Sequence, residues 1–226
     1  MIRLFAGPKR LTLTLLFLSV IPIVMALVRL VQIPLGALPD DSLKFLTVPL
    51  WHWAHALGGA SFGIIGPLQF AGVLQRRYGR LHRVLGRVFM LAGVMLGGSG
   101  LGLFLQVPNS ATPILDCARV LAGLALMGSL GLSLGAIRRR DIARHKAWII
   151  RAYAIGMGSG AVALVMFPIY LIKGAPLEGV ISDLVFVGAW LICIGVAEAV
   201  VRRTAPPVRP RPGVGTAMPT VTTPAH

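Results

Sequence analysis

Two basic stretches carry the side chains best suited to chemistry. "RRYGRLHRVLGR" (Arg76 to Arg87) and "RRRDIARHKAWIIR" (Arg138 to Arg151) each hold a histidine followed by a cation, His82-Arg83 and His145-Lys146. Each then enters an apolar run that still contains an arginine, Arg87 or Arg151. Imidazole serves as base, proton carrier or metal ligand near neutral pH. Guanidinium grips carboxylate or phosphate through a planar fork. A second group lies elsewhere: His52 and His55, then Asp116 and Arg119, each pair at i and i+3 and so on one face of a helix.

These residues support different chemistries. His82, Arg83, Arg87, His145, Trp148 and Arg151, with Gln69, can form a cationic pocket for an anionic amphiphile or lipid headgroup, the usual partner of basic clefts between membrane helices. Alternatively, the protein can be a membrane electron-transfer protein with a b-type haem whose axial ligands are His82 and His145, one histidine on each face of the ring. Arg83, Arg87 and Arg151 would then pair with its propionates. His52, His55, Asp116 and Arg119 can build a separate polar site for a proton or a metal. A fourth reading is a membrane assembly factor without catalysis. His-Glu-x-x-His and phosphate-loop patterns are absent, and no enzyme class is assigned. The two cysteines, Cys117 and Cys193, lie far apart in apolar runs and give no zinc or iron–sulfur spacing.

Composition decides what holds these groups in position. The chain is 56% hydrophobic and only 13% charged, about half the charge of a soluble domain. Its formal charge of +15 would point to nucleic acid on a soluble protein. Here the cations cluster between long apolar runs, and no nucleic-acid module is recognisable. The solvent is therefore a lipid bilayer.

A spanning helix needs about 20 apolar residues. Six segments qualify, at about 11–33, 49–74, 84–107, 112–137, 146–172 and 182–201. The fold class is all-α, a polytopic membrane protein of six helices whose core is spans two to five. The transmembrane domain covers 1–203, with its core at 49–173. The proline-rich tail, 204–226, is expected to be disordered. The N-terminal segment reads as a first span rather than a cleaved signal, because its apolar run is too long and no Ala-x-Ala follows. With the N-terminus inside, the inner face receives three cations in 3–10, five in 76–87, six in 138–151 and four in 202–211. The outer face receives only Arg29, Lys44, Arg119 and Lys173. Such asymmetry places both termini in the cytoplasm.

Small residues four apart allow close helix approach in lipid. They occur as Gly93/Gly97, Gly98/Gly102, Ala118/Ala122, Gly131/Gly135 and Gly156/Gly160, so spans three to five should pack most tightly. Pro67 should kink the second span.

The order "HALGG…GPLQF", "LHRVLGR" and "RHKAWIIRAYA" resembles a bacterial family of membrane proteins known as domain of unknown function 2306. The resemblance covers about Trp51 to Lys173. It implies a multi-pass helical core and marks His55, Gln69, His82, Arg83, Arg87, His145, Trp148 and Arg151 as positions of interest. Lys146 departs from it, where arginine is usual. The resemblance implies no reaction.

Overall fold

A computed structural model describes residues 8–107, 112–175 and 177–204. Seven α-helices and one short 3-10 helix form, with no strand among the described residues. They are α1 (Pro8–Gln32), the 3-10 segment Asp40–Thr47, α2 (Pro49–Gln69), α3 (Gly72–Arg77), α4 (Gly79–Gln106), α5 (Pro113–Arg138), α6 (Ile142–Lys173) and α7 (Gly179–Thr204). The proline-rich tail expected beyond Thr204 lies outside the described residues, as do Arg3, Arg209 and Arg211.

Five of these helices are long and apolar enough to cross a membrane: α1 from Leu11, α4, α5, α6 and α7. The protein is thus all-helical and polytopic. The second expected span, α2, does not reach that apolarity. Its 21 residues include His52, His55, Gln69 and four glycines. α2 packs against α4 on one side and α1 on the other, so much of its surface is covered by protein. The segment expected at 49–74 is also divided. Pro67 offers no amide hydrogen, and three residues later the Phe70 amide turns back to the Pro67 carbonyl at 3.2 Å. The helix therefore stops at Gln69, instead of running on through a kink, and α3 begins at Gly72. In contrast α6 runs unbroken past Pro168 to Lys173, where Gly174 caps it at φ 68°.

The core is built from spans two to five of the sequence reading, α2, α4, α5 and α6. Phe62 of α2, Phe89, Ala92 and Leu96 of α4, Leu126 and Leu130 of α5, and Ala152, Tyr153 and Ile155 of α6 form one buried cluster. Phe62 is fully buried and stacks between Phe89 (centroids 4.3 Å) and Tyr153 (5.9 Å). Outside the core, α1 lies against α2 and α6, and α7 lies mainly along α6. Tyr153 reaches the Ser19 hydroxyl of α1 at 3.2 Å, and the Trp190 indole of α7 donates to the Ile155 carbonyl at 3.0 Å.

Among the described glycines, the nearest approach to another helix's backbone joins α2 to α4 and does not lie within spans three to five. A Cβ on Gly58 of α2 would sit 2.8 Å from the Leu96 amide nitrogen of α4, a backbone atom that cannot move aside. Gly93, Gly97 and Gly156 do face neighbours closely, whereas Gly98, Gly131 and Gly135 face open space. A small-residue motif shows where approach is permitted; helix rotation decides which motifs are used. We expect Gly58→Val to abolish the monodisperse detergent-solubilised protein on size exclusion. Gly131→Val should change thermal stability by no more than about 0.5 kcal/mol.

Candidate functional site

The described cations gather at two ends of the bundle. The basic end comprises α3, the start of α4, the α5–α6 turn and the end of α7. The opposite end comprises the 3-10 segment, the start of α2, and the starts of α5 and α7. The candidate residues divide between these ends.

At the opposite end, His52 and His55 project from one face of α2. His55 Nδ1 lies 3.3 Å from the Ser99 hydroxyl of α4. That hydroxyl is 2.5 Å from the Met95 carbonyl one turn earlier, to which it donates. The His52 ring packs against Phe45 of the 3-10 segment, centroids 5.0 Å apart. Two cavities meet at these imidazoles. One, of about 280 Å³, reaches between α4, α5 and α7 to Arg119, Phe186 and Trp190. The other, of about 260 Å³, reaches between α1 and α6 to Arg29, Met157 and Ala163. His52, His55, Leu96, Gly156 and Ser159 line both. The walls are mainly apolar, with few polar groups, as ligand pockets generally are.

Each flanking arginine is held. Arg29 donates to Gln32 Oε1 and to the Ser42 hydroxyl, both at 3.2 Å. Arg119 lies 3.7 Å from Asp116, as the i,i+3 spacing predicts, and over the Phe186 ring at 5.6 Å. Asp183 of α7 is buried and accepts from the Thr112 hydroxyl at the start of α5. Asp116 Oδ1, which faces Arg119, is buried without a hydrogen-bond partner. Among the described residues, no group of three or more His, Cys, Asp or Glu is positioned to hold a metal ion, so the metal option raised for His52, His55 and Asp116 does not assemble.

At the basic end, the sequence-selected residues do not all converge. Asp141 caps α6 by accepting from the Arg144 amide at 2.9 Å, which fixes where His145 enters the bundle. His145 Nδ1 lies 2.8 Å from the Ser133 hydroxyl and 3.1 Å from the Ser133 carbonyl of α5. A carbonyl only accepts, so this nitrogen carries the proton. His82 on α4 is within electrostatic reach of His145. Arg83 and Arg87 are exposed. Gln69 is buried beside Gly86, where a Cβ would stand 3.4 Å from Gln69 Oε1. Gln69 Nε2 and His82 Nδ1 are buried with no hydrogen-bond partner. Two turns deeper, the Phe89–Phe62–Tyr153 stack fills the space between α4 and α6.

Arg151 turns away from this group. Its Nε and Nη2 donate to both carboxylate oxygens of Glu198 on α7, at 2.5 and 2.9 Å, and its guanidinium covers the Trp148 ring at 4.7 Å. Sequence spacing pairs Glu198 with Arg202 one turn on; the fold pairs it with a residue 47 positions earlier. Ser99, Ser133 and Ser159 also escaped the sequence reading; Ser133 does stand in a Gly-x-Ser-x-Gly pattern, Gly131 to Gly135, but within the continuous helix α5 and not at a strand-to-helix turn.

Residues 52–201 match the model of a family described as "Predicted membrane protein (DUF2306)". The match spans well over half of the 226 residues, and the chain belongs to that family. It extends past Lys173 to include α7 and therefore Glu198. No curated protein and no solved structure matches the chain.

The bidentate pair makes a distinct prediction. Arg151→Leu should destabilise the protein, because Glu198 is left without its partner. Adding Glu198→Leu should restore much of the loss, a coupling of about 1–3 kcal/mol in a double-mutant cycle of thermal unfolding in detergent.

Proposed function

We propose that this DUF2306 member is a six-span protein of the bacterial cytoplasmic membrane that binds an anionic amphiphile in the twin cavity at His52 and His55. The sixth span is α2. Its 21 residues reach about 31 Å at 1.5 Å per residue, enough for the hydrocarbon core, and its modest apolarity fits a helix enclosed by α1 and α4. In this reading residues 1–203 are one membrane domain with its core at 49–173, and 204–226 is a cytoplasmic tail. The orientation rests on charge. Arg76, Arg77, Arg80, Arg83, Arg87, Arg138–Arg140, Arg144, Lys146, Arg202 and Arg203 share the basic end, which the positive-inside rule assigns to the cytoplasm. Reporter fusions after Tyr78 and after Thr204 should read as cytoplasmic, and one after Gly36 as periplasmic. A periplasmic signal after Tyr78 would sink the orientation.

One observation carries the ligand reading: two mainly apolar cavities share an imidazole pair, and each has an arginine on its far flank. Apolar walls suit a hydrocarbon chain, and the cations and imidazoles suit an anionic head. The sequence had favoured the basic end. A second reading keeps a headgroup contact there at His82, Gln69, Arg83 and Arg87, supported by the buried, unpartnered His82 Nδ1 and Gln69 Nε2.

The two readings separate by experiment. Lipid extracted from purified protein should contain an acidic amphiphile that is lost when Ala122→Trp fills the first cavity. Loss in His82→Ala with retention in Ala122→Trp would return the site to the basic end. A Soret absorption band in the purified protein, abolished by His82→Ala or His145→Ala, would replace both with the haem reading.

A further inference from the structure

The Ser99–His55 contact has a direction, and the direction selects the ligand. The Ser99 hydroxyl has one hydrogen. It lies 2.5 Å from the Met95 carbonyl and 3.3 Å from that of Leu96, both of which only accept. Its hydrogen is therefore committed to its own helix, and toward His55 Nδ1 it can only accept. Nδ1 must then carry the imidazole hydrogen, which leaves a lone pair on Nε2. The Nδ1–Cε1 edge of the ring lies against α4: a Cβ on Gly100 would stand 3.5 Å from His55 Cε1 and 3.6 Å from Nδ1. His55 also lines both cavities. Serine orients the imidazole in the way that second-sphere groups orient a ligating or basic histidine.

Resting on the cavity reading above, we propose that His55 Nε2 is a proton acceptor and that the cavity takes a membrane-soluble weak acid, an apolar chain ending in an acidic O–H. The neutral acid is the form that dissolves in an apolar cavity. On binding, its O–H bond breaks, an Nε2–H bond forms, and the electron pair stays on the acid oxygen. The products are an imidazolium on His55 and the carboxylate or phosphate it faces, with Nδ1–H still donating to Ser99. A lone imidazolium among these walls would be costly; one formed from the ligand's own proton stands beside its counter-charge. The other charged and titratable groups about the site are His52 on α2, Arg29 on α1, and Arg119 on α5, which lies under the influence of Asp116 and of Asp183 on α7. Arg119 and Arg29 support the anion and compete for no proton.

The test uses the full chain in detergent with ¹⁵N-labelled histidine, and decanoic acid, decyl phosphate and methyl decanoate as probes. Without ligand, His55 should give the Nδ1–H neutral tautomer. Saturating acid should protonate Nε2, and methyl decanoate should leave it unchanged. The tighter of the two acids identifies the head. His55→Gln keeps a hydrogen-bonding side chain but cannot take the proton, and should weaken acid binding about tenfold, the difference between a charge-assisted and a neutral hydrogen bond. If the ester binds as tightly as the acids, or if His55 rests as the Nε2–H tautomer, the proton-acceptor assignment falls while the cavity reading survives. If no probe binds the wild-type chain, the cavity reading itself fails.

Discussion

Everything in this bundle is arranged around one ring. Phe62 of α2 stands between Phe89 of α4 and Tyr153 of α6, with Phe70 edge-on to Tyr153 at 5.4 Å. Lipid is as apolar as Phe, so burying the ring gains nothing from leaving water. What holds it is contact density, and contact density requires that nothing else occupy the space. Gly66, Gly93 and Gly156 provide that space: a Cβ at each would approach a ring or a core side chain to 2.3, 2.7 or 2.5 Å. Three glycines on three helices thus make one aromatic stack possible. The stack fixes the rotation of α2, α4 and α6 about their axes.

Once those rotations are set, the two ends follow. Above the stack, α2 turns His55 onto Ser99 of α4 and His52 onto Phe45, and both histidines line the two cavities with Gly156 and Ser159 of α6. Below it, α6 turns His145 onto Ser133 and Arg151 onto α7. The same hand-off links the outer helices to the core. Tyr153 carries its ring in the stack and its hydroxyl to Ser19 of α1, while the Trp190 indole seats over Gly158 and bonds the Ile155 carbonyl. A polar group in hydrocarbon must find a partner within the protein. Each such bond therefore works as a positional pin as well as a source of stability.

The charged interior obeys the same constraint. Arg151 lies within α6, far enough into the span that an unpaired charge would be expensive. It answers with a two-point bond to Glu198 and a cation–π contact to Trp148. At the far end Arg119 is shared among Asp116, the field of Asp183 and the Phe186 face. These arrangements separate residues that build the bundle from residues left with capacity to bind: His52, Gln69 and His82 each keep a buried nitrogen without a hydrogen-bond partner.

The bilayer as solvent, the apolar runs, the asymmetry of charge and the family were all legible along the chain, since each depends on composition within a window of one helix. The i,i+3 pair of Asp116 and Arg119 was legible for the same reason. The division of α2 and α3 at Phe70 was foreshadowed only by Pro67. What the linear order left undetermined was every choice among partners on different helices: Glu198 for Arg151, Ser99 for His55, Ser133 for His145, Gly58 rather than Gly131 as the point of closest approach. Those choices depend on how far each helix is rotated and where it crosses its neighbour. Such angles are set by how side chains from several segments fill one shared volume, a property that no single segment contains.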